Sequence, residues 1–204
     1  MHQRDSEQAV LLACRRGETN AFAQLVHAYQ DVALRTAYLM TSDQQAAEDI
    51  AQNAFLAAFR NIHRFDLTRS FRPWFLAILV NEARMYLRTQ RRQPADDLDP
   101  SLPTDQDSPL LQVIEADDRA RIREALAHLD EPFRTAAVLY YFNNLSVDEI
   151  ATSTGSQPGT VKSRLHTARQ RLRETLAPLF NLNSKSAPPL RPLTPKWKLS
   201  DDNP

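Results

Sequence analysis

Basic side chains recur along one predicted helix near the carboxyl end of the chain. Four of them follow one another at steps of four, three and four residues and therefore share one stripe: Lys162, His166, Arg169 and Arg173. No acidic residue interrupts the segment from Ser156 to Arg173. A cationic stripe of this kind can contact the phosphates of nucleic acid while its neighbours reach base edges in a major groove.

The elements that must position this stripe have the pattern of a helix, a tight turn and a second helix. Ser146 and Glu149 have the spacing of a capping box, and Gly155 suits the left-handed residue that ends a helix. Pro158 fits the first turn of the next helix. An apolar stripe on that helix can dock on the rest of the domain: Val161, Leu165, Ala168, Leu172 and Leu176. The pattern predicts a DNA-binding helix-turn-helix; the alternative is a solvated basic helix in an all-α protein.

Composition favours an all-α protein, and the charges are unevenly distributed. The 204 residues include three Gly and have room for two small domains. The formal net charge is zero, but it is the sum of opposed blocks. Eight Arg stand against two acids over 60–92, whereas eight acids and no Lys or Arg occur over 93–118. These blocks indicate separate surfaces of opposite charge.

Several classes of site are not supported by the sequence. Cys14 is the single cysteine, which excludes an intramolecular disulfide and a multi-Cys zinc site, and it is predicted to be a small buried residue. No Gly-rich phosphate loop, HExxH or GxSxG motif occurs, so we expect no catalytic site, no metal site and no cofactor. We find no signal peptide or membrane-spanning run and therefore expect a cytoplasmic protein without direct membrane insertion.

The chain divides by composition into four parts. Residues 6–92 form a first helical domain, whose predicted helices include Gln44–His63 and Phe71 to about Arg92. Residues 93–109, rich in Pro and Asp, predict a flexible acidic linker. Residues 110–180 form a second domain that contains the helix-turn-helix, with a helix predicted over Phe133 to about Asn143. Residues 181–204 are a Pro-rich tail that we expect to be mostly disordered.

Two helices of the first domain carry surface patterns that could serve binding. The helix from Gln44 has an apolar face of Ala47, Ile50, Ala51, Ala54 and Ala58. Its other face carries Asp49, Gln52, Asn53 and Leu56, which is either a solvated surface or a docking surface for a basic partner helix. The helix from Phe71 combines apolar positions with Asn81, Arg84 and Arg88. Aromatic residues near the preceding loop could stack unpaired bases, or could close the core.

Both domains resemble bacterial extracytoplasmic-function (ECF) sigma factors. The stretch AFAQLVHAYQDVALRTAYLMTSDQQAAEDIAQNAFLAAFRNIHRFD, followed by SFRPWFLAILVNEARMYLRTQRR, resembles region 2 of that family. The stretch ALAHLDEPFRTAAVLYYFNNLSVDEIATSTGSQPGTVKSRLHTARQRLRETL resembles region 4. The order, the spacing and the intervening linker also match this two-domain family. One departure is Asn53, where the family usually has Glu.

The resemblance implies a promoter-recognition subunit of RNA polymerase. Asp49, Gln52, Asn53 and Leu56 would bind the clamp helices of the polymerase β′ subunit, and the β flap would be a further contact. The −10 element of promoter DNA would be held by Phe65, Asp66, Arg69, Asn81, Arg84 and Arg88. The −35 element would be read by Thr160, Lys162, Ser163, Arg164 and His166, with Arg169 and Arg173 on phosphates. The family also implies an anti-sigma partner.

Two other functions stay open from the residues alone. A stand-alone helix-turn-helix regulator would bind duplex DNA without polymerase, at a two-fold site. A sequestering protein with a degenerate DNA-binding domain would not depend on Lys162 or Arg164 for any effect on transcription. Control by the tail after Leu182 is an alternative to an anti-sigma partner.

Overall fold

Every regular element in the described parts of the chain is helical. The computed structural model describes residues 2–90 and 116–177, so the predicted linker at 93–109 and the tail at 181–204 lie outside the described residues. The helices are α1 (His2–Arg15), α2 (Thr19–Thr41), α3 (Gln44–Asn61), α4 (Phe71–Gln90), α5 (Ala116–Ala127), α6 (Glu131–Ala137), α7 (Val147–Thr154) and α8 (Pro158–Leu176). The all-α prediction is confirmed.

Helices α2, α3 and α4 pack around a core of aromatic rings. Phe71 and Phe75 are buried on α4, where the ring of Phe75 stacks on Phe55 of α3 at 4.7 Å between centroids. Tyr29 of α2 meets Phe71 edge to face at 5.2 Å. The alanines predicted for the inner face of α3 are buried, which confirms that prediction. Their small side chains let the neighbouring helices approach closely while the rings of α4 fill the remaining volume.

The junction of α2 and α3 is fixed by local hydrogen bonds. Ser42 has the left-handed φ of 60° at the end of α2, and its N–H donates to the carbonyl of Tyr38. Asp43 then caps α3, because its carboxylate accepts from the N–H of Ala46 at 3.0 Å. Tyr86 of α4 donates its hydroxyl to the other oxygen of Asp43 at 3.1 Å. Burial and this bond raise the pKa of Tyr86. The start of α3 is therefore tied to α4.

The helix predicted over Phe133 to Asn143 is not a uniform α-helix. α6 runs from Glu131 to Ala137 and continues as a π-helical segment, Val138–Phe142. The N–H of Asn143 donates to the carbonyl of Val138 at 3.2 Å, across the five-residue step of a π turn. This wider turn leaves the side chain of Asn143 almost fully buried. α3 also differs from its prediction, because it ends at Asn61 and a short 3-10 turn, Ile62–Arg64, follows.

The helix-turn-helix has the predicted local structure. Ser146 and Glu149 form both halves of the capping box, and Gly155 ends α7 with a φ of 62°. Pro158 lies in the first turn of α8. Ile150, Val161 and Ala168 are buried between the helices. These local predictions are confirmed. The cap, the turn at Gly155 and Pro158 together set the angle between α7 and α8.

Helices α1 to α4 form a first module and helices α5 to α8 a second, and the two modules pack against each other. α2 lies against α5, α6 and the π segment, and α4 lies against α7. The buried hydroxyl of Thr36 on α2 bonds to the amide of Asn143, which donates to it at 3.0 Å. Arg134 of α6 donates to the carbonyl of Met40 at 2.6 Å, at the carboxyl end of α2. The contact between the modules is therefore made through buried and half-buried polar groups as well as apolar ones.

Candidate nucleic-acid and partner interfaces

The outward face of α3 presents all four of the side chains predicted to dock on a partner. Asp49, Gln52, Asn53 and Leu56 are exposed, while the opposite face of the helix is buried in the core. Leu56 is 47 % exposed, which is high for a large apolar side chain on a well-packed helix. The structure therefore brings these four residues together on one accessible surface.

An apolar groove lies beside this face, between α2 and α3, with a volume of about 490 Å³. Gln52 and Leu56 line it, together with residues that were not predicted to belong to a docking surface: Thr19, Phe22, Val26, Gln30, Leu34, Glu48, Ala51, Phe55 and Phe59. Phe59 and Leu34 are 45 % and 36 % exposed. Phe59 follows Leu56 by three residues, so helical spacing could have indicated it. Exposed apolar side chains grouped in this way mark protein interaction surfaces.

The loop between the 3-10 turn and α4 is held by its own hydrogen bonds. The carboxylate of Asp66 accepts from the N–H of Thr68 at 3.0 Å and from its hydroxyl at 2.7 Å. These bonds, with a smaller contribution from Arg69, lower the pKa of Asp66. Asp66 and Arg69 are both exposed, and their charged groups lie 3.3 Å apart. The loop therefore presents both charged groups to solvent in a defined conformation.

Phe65 occupies a different environment from the other predicted loop residues. Its side chain is only 3 % exposed, because Trp74 and Phe71 pack against its ring at 4.9 Å and 5.8 Å. A buried ring anchors the loop and is not accessible to a base in this conformation. Phe65 and Phe71 therefore close the core, which is one of the two interpretations that the sequence left open for these aromatic residues.

The three predicted polar residues of α4 have unequal accessibility. Asn81 and Arg88 are exposed. Arg84 is half-buried, because its Nε donates to Glu131 of α6 at 2.6 Å. The side chains of this ion pair are 17 % and 24 % exposed. One of the three side chains is thus engaged by the second module.

The basic stripe of α8 lies on the surface of the second module. Most of the predicted residues are exposed: Thr160, Lys162, Ser163, His166, Arg169 and Arg173. Arg164 is half-buried and donates to the hydroxyl of Ser156 at 2.8 Å, so it braces the turn that precedes the helix. The remaining side chains form a cationic surface along one side of α8, suited to phosphates and base edges.

Arg171 on the same helix has a structural environment that sequence reasoning missed. Its guanidinium donates to Asp130 at 2.6 Å and lies over the ring of Phe133 at 4.7 Å from the centroid. Both partners precede or begin α6, so Arg171 ties α8 to the start of that helix. No short-range pattern indicates these partners, because Asp130 is 41 residues away in the chain.

The described ranges contain neither a cluster of metal-ligating side chains nor a membrane-spanning helix. Within 2–90 and 116–177, no group of three or more His, Cys, Asp or Glu side chains is placed to hold a metal ion. In the same ranges no helix combines the length and the apolar character needed to cross a bilayer. Cys14 is buried as predicted, and burial raises the pKa of its thiol.

Comparison with known proteins matches both modules. The family model of sigma-70 region 2 matches residues 25–93, and that of sigma-70 region 4 matches residues 119–172. The chain is 34 % identical to the RNA polymerase sigma-H factor of Pseudomonas aeruginosa, over 88 % of this chain and 98 % of that protein. It is 32 % identical to the ECF RNA polymerase sigma factor SigW of Bacillus subtilis, over 81 % and 94 %.

A solved structure has the same fold. The sigma factor RpoE of Bartonella quintana, crystallised with the anti-sigma factor NepR, is 25 % identical with a TM-score of 0.62. The match covers 76 % of this chain and 96 % of that one. The chain therefore carries two sigma-70 regions in the order that the family has. It is also similar to these sigma factors over most of its own length and most of theirs. The chain belongs to the ECF sigma factors, the alternative sigma factors that direct transcription initiation by bacterial RNA polymerase.

Proposed function

We propose that this sigma factor binds core RNA polymerase through the outward face of α3. Asp49 would form an ion pair with the basic β′ clamp helices, Gln52 and Asn53 would donate or accept hydrogen bonds, and Leu56 would be buried. The observation that carries the proposal is the exposure of Leu56 and Phe59 beside Asp49. An acidic residue next to accessible apolar side chains suits a basic helical partner. Asn53 in place of the usual Glu removes one charge from this contact.

We propose further that residues 6–92 capture the −10 element as a single strand. Asp66 and Arg69 lie on the ordered loop, and Asn81, Arg84 and Arg88 follow along α4. Capture of an opened strand requires cations for the backbone and a pocket for an unstacked base. In this proposal Phe65 supports the loop from beneath, because its ring is buried against Trp74 and Phe71.

Residues 110–180 would read the −35 element as a duplex. Thr160, Lys162, Ser163 and His166 at the start of α8 would reach base edges in the major groove. Arg169 and Arg173, one and two turns further on, would contact phosphates. Arg164 would contribute both to the DNA surface and to the turn through Ser156. Attachment to polymerase, including a contact of this module with the β flap, would raise the effective concentration of both modules at a promoter.

The proposal extends to regulation and location. We place the protein in the cytoplasm as a non-enzymatic subunit, with transcription chemistry supplied by polymerase. The Bartonella relative was crystallised with an anti-sigma factor. By analogy we expect an anti-sigma partner here, covering the α3 face and the DNA-binding surfaces until a signal releases it.

Co-purification with core polymerase tests the proposed docking face. Asp49→Arg should abolish binding while the circular dichroism spectrum and melting temperature stay near those of the wild type. Glu124→Arg is the matched control, because it makes the same charge reversal at an exposed position of α5. Polymerase binding by Asp49→Arg at the wild-type level would contradict the assignment of this face.

A further inference from the structure

Met85 is an apolar side chain that α4 presents to solvent. It is 60 % exposed, the highest value among the exposed large apolar residues of the described ranges. Its neighbours Ile78 and Tyr86 pack against the core, whereas Met85 does not belong to the packed set. Single apolar residues are common on protein surfaces, so exposure alone assigns no role to Met85. Its position among the other outward side chains of α4 is more informative.

Five side chains form a stripe along the outward face of α4. They follow one another at steps of four, three, four and three residues, which keeps them on one side of the helix: Trp74, Ile78, Asn81, Met85 and Arg88. Asn81, Met85 and Arg88 are exposed, and the two residues before them are half-buried. The stripe is about 21 Å long at the rise of an α-helix. It is therefore long enough to follow several nucleotides of one strand.

Met85 lies between two polar side chains of this stripe. Asn81, one turn before it, can donate to and accept from base edges, and Arg88, one turn after it, can contact a phosphate. The thioether between them offers apolar contact area instead of hydrogen bonds. Thymine is the one DNA base that carries an apolar substituent, its 5-methyl group, and apolar side chains contact that methyl in protein–DNA complexes. An apolar residue at this place favours thymine over cytosine.

Met85 also points away from the second module. Arg84 precedes it by one residue and is paired with Glu131 of α6. Successive residues of an α-helix are rotated by about 100°, so Met85 faces a different direction from that ion pair. Its side chain is accessible in the structure while Arg84 is engaged.

We propose that Met85 is a specificity-determining residue that selects thymine at one position of the −10 element. In the opened promoter its side chain packs on the 5-methyl group of one thymine in the non-template strand, and both groups lose contact with water. The inference rests on the proposed capture of the −10 element by α4. It adds which base one side chain prefers and the physical cause of that preference.

The test replaces thymine by deoxyuridine, which lacks only the methyl group. Core polymerase with the full chain is bound to a fluorescein-labelled fork template whose non-template −10 strand is single, and fluorescence anisotropy gives the affinity. Each −10 thymine of a promoter selected from a pooled library is replaced in turn. We expect affinity to fall about fourfold at one position, as for the burial of one methyl group. With Met85→Ala, thymine and deoxyuridine should bind equally at that position.

Two variants control for side-chain size and for general loss of apolar surface. Met85→Leu keeps an apolar side chain of similar volume and should retain the preference for thymine. Leu12→Ala shortens an apolar side chain of α1 that is 44 % exposed and should behave as the wild type on both templates. A selected −10 strand without thymine would overturn the proposal. So would an equal loss with deoxyuridine in the wild type and in Met85→Ala, because the methyl group would then act independently of Met85.

Further measurements separate this proposal from a polymerase contact and from the proposed function. Weaker binding of Met85→Ala to core polymerase without DNA would assign Met85 to the polymerase interface and overturn the thymine contact. If the wild type prefers its promoter but binds thymine and deoxyuridine equally, the proposed function stands and the role of Met85 fails. If the wild type does not prefer its promoter over a mixed-sequence fork, the proposed function fails and the role of Met85 with it. Thermal melts should show unchanged stability for Met85→Ala, since its side chain is exposed.

Discussion

The cationic surface of α4 and that of α8 differ in how accessible they are. On α8, Lys162, His166, Arg169 and Arg173 are all exposed. On α4, Arg84 is held by Glu131 of the other module. The four side chains on α8 are thus accessible to a ligand in this structure, whereas one of the three side chains on α4 that are proposed to hold a single strand is engaged by the second module. Helical spacing predicts the exposure on α8, whereas the contact of Arg84 depends on how the two modules pack.

The two modules also differ in how their surfaces are supported. The first is built around stacked phenylalanines, with α3 held by an alanine face and by the bond from Tyr86 to Asp43. The second depends on short turns, in which Ser146 and Gly155 set the geometry of α7 and α8. Core substitutions should therefore damage the first module most, and turn substitutions the second.

Charge reversal on α8 is expected to have the largest effect on DNA binding. Arg169→Glu with Arg173→Glu replaces two proposed phosphate contacts by repulsive charges. We expect affinity for duplex DNA to fall about 100-fold, and the salt dependence of log K to become shallower by about two units. Fluorescence anisotropy at several salt concentrations measures both. Arg171→Gln is a control on the same helix, and an equal loss there would contradict the assignment of the stripe.

A single substitution at the start of α8 separates sequence recognition from general affinity. Lys162→Ala should cost about 1–3 kcal/mol on a duplex carrying the preferred −35 sequence and much less on mixed-sequence duplex. The ratio of the two dissociation constants is the quantity to measure. If both constants rise by the same factor, Lys162 contacts phosphate and not a base.

Gly155→Ala tests the dependence of the second module on its turn. Gly155 has a φ of 62°, and a β-carbon added there would meet no atom within 4 Å. The expected loss of about 1 kcal/mol in the free energy of unfolding therefore comes from backbone strain alone. Urea denaturation measures it. Gly159→Ala is the matched control, because Gly159 is helical and a β-carbon added there would also meet no atom within 4 Å. At this position alanine should raise the free energy of unfolding.

The smallest of the predicted effects is that of acid on the loop that carries Asp66. Hydrogen bonds from Thr68 lower the pKa of Asp66 below its ordinary value of 3.8. A carboxyl with a lowered pKa stabilises the fold above its unfolded pKa, and that contribution is lost as the pH falls through the folded value. The loop should therefore be unchanged between pH 7 and pH 5 and should lose these bonds only below 3.8. NMR titration of the Asp66 carboxyl carbon checks this; a midpoint above 3.8 would contradict it.

Local features of this fold were predictable from sequence because neighbouring residues determine them. The capping box at Ser146, the left-handed Gly155 and the alanine face of α3 follow from spacing alone. The exposure of Asp49 and Leu56 follows from the same periodicity. Apolar partners on α2, such as Leu34, require knowledge of how α2 and α3 pack, so the full groove was not predicted.

Contacts between the modules could not be predicted in this way. Glu131 lies 47 residues from Arg84, and Asn143 lies 107 residues from Thr36. The linker between the modules gives no indication of which faces meet. The π segment before Asn143 was missed for a related reason, since its wider turn is associated with burial of that side chain against the other module. Likewise, Phe65 is buried by rings that arrive only when α4 packs beneath the loop.

Run-off transcription on a pooled promoter library tests the central claim most directly. Core RNA polymerase would be supplied with the wild-type chain, with Asp49→Arg or with no sigma factor. The account predicts initiation from a distinct subset of templates with the wild type, and none above the level of core polymerase alone with Asp49→Arg. Template-specific initiation by Asp49→Arg at the wild-type level, or none by a folded wild-type protein, would contradict it.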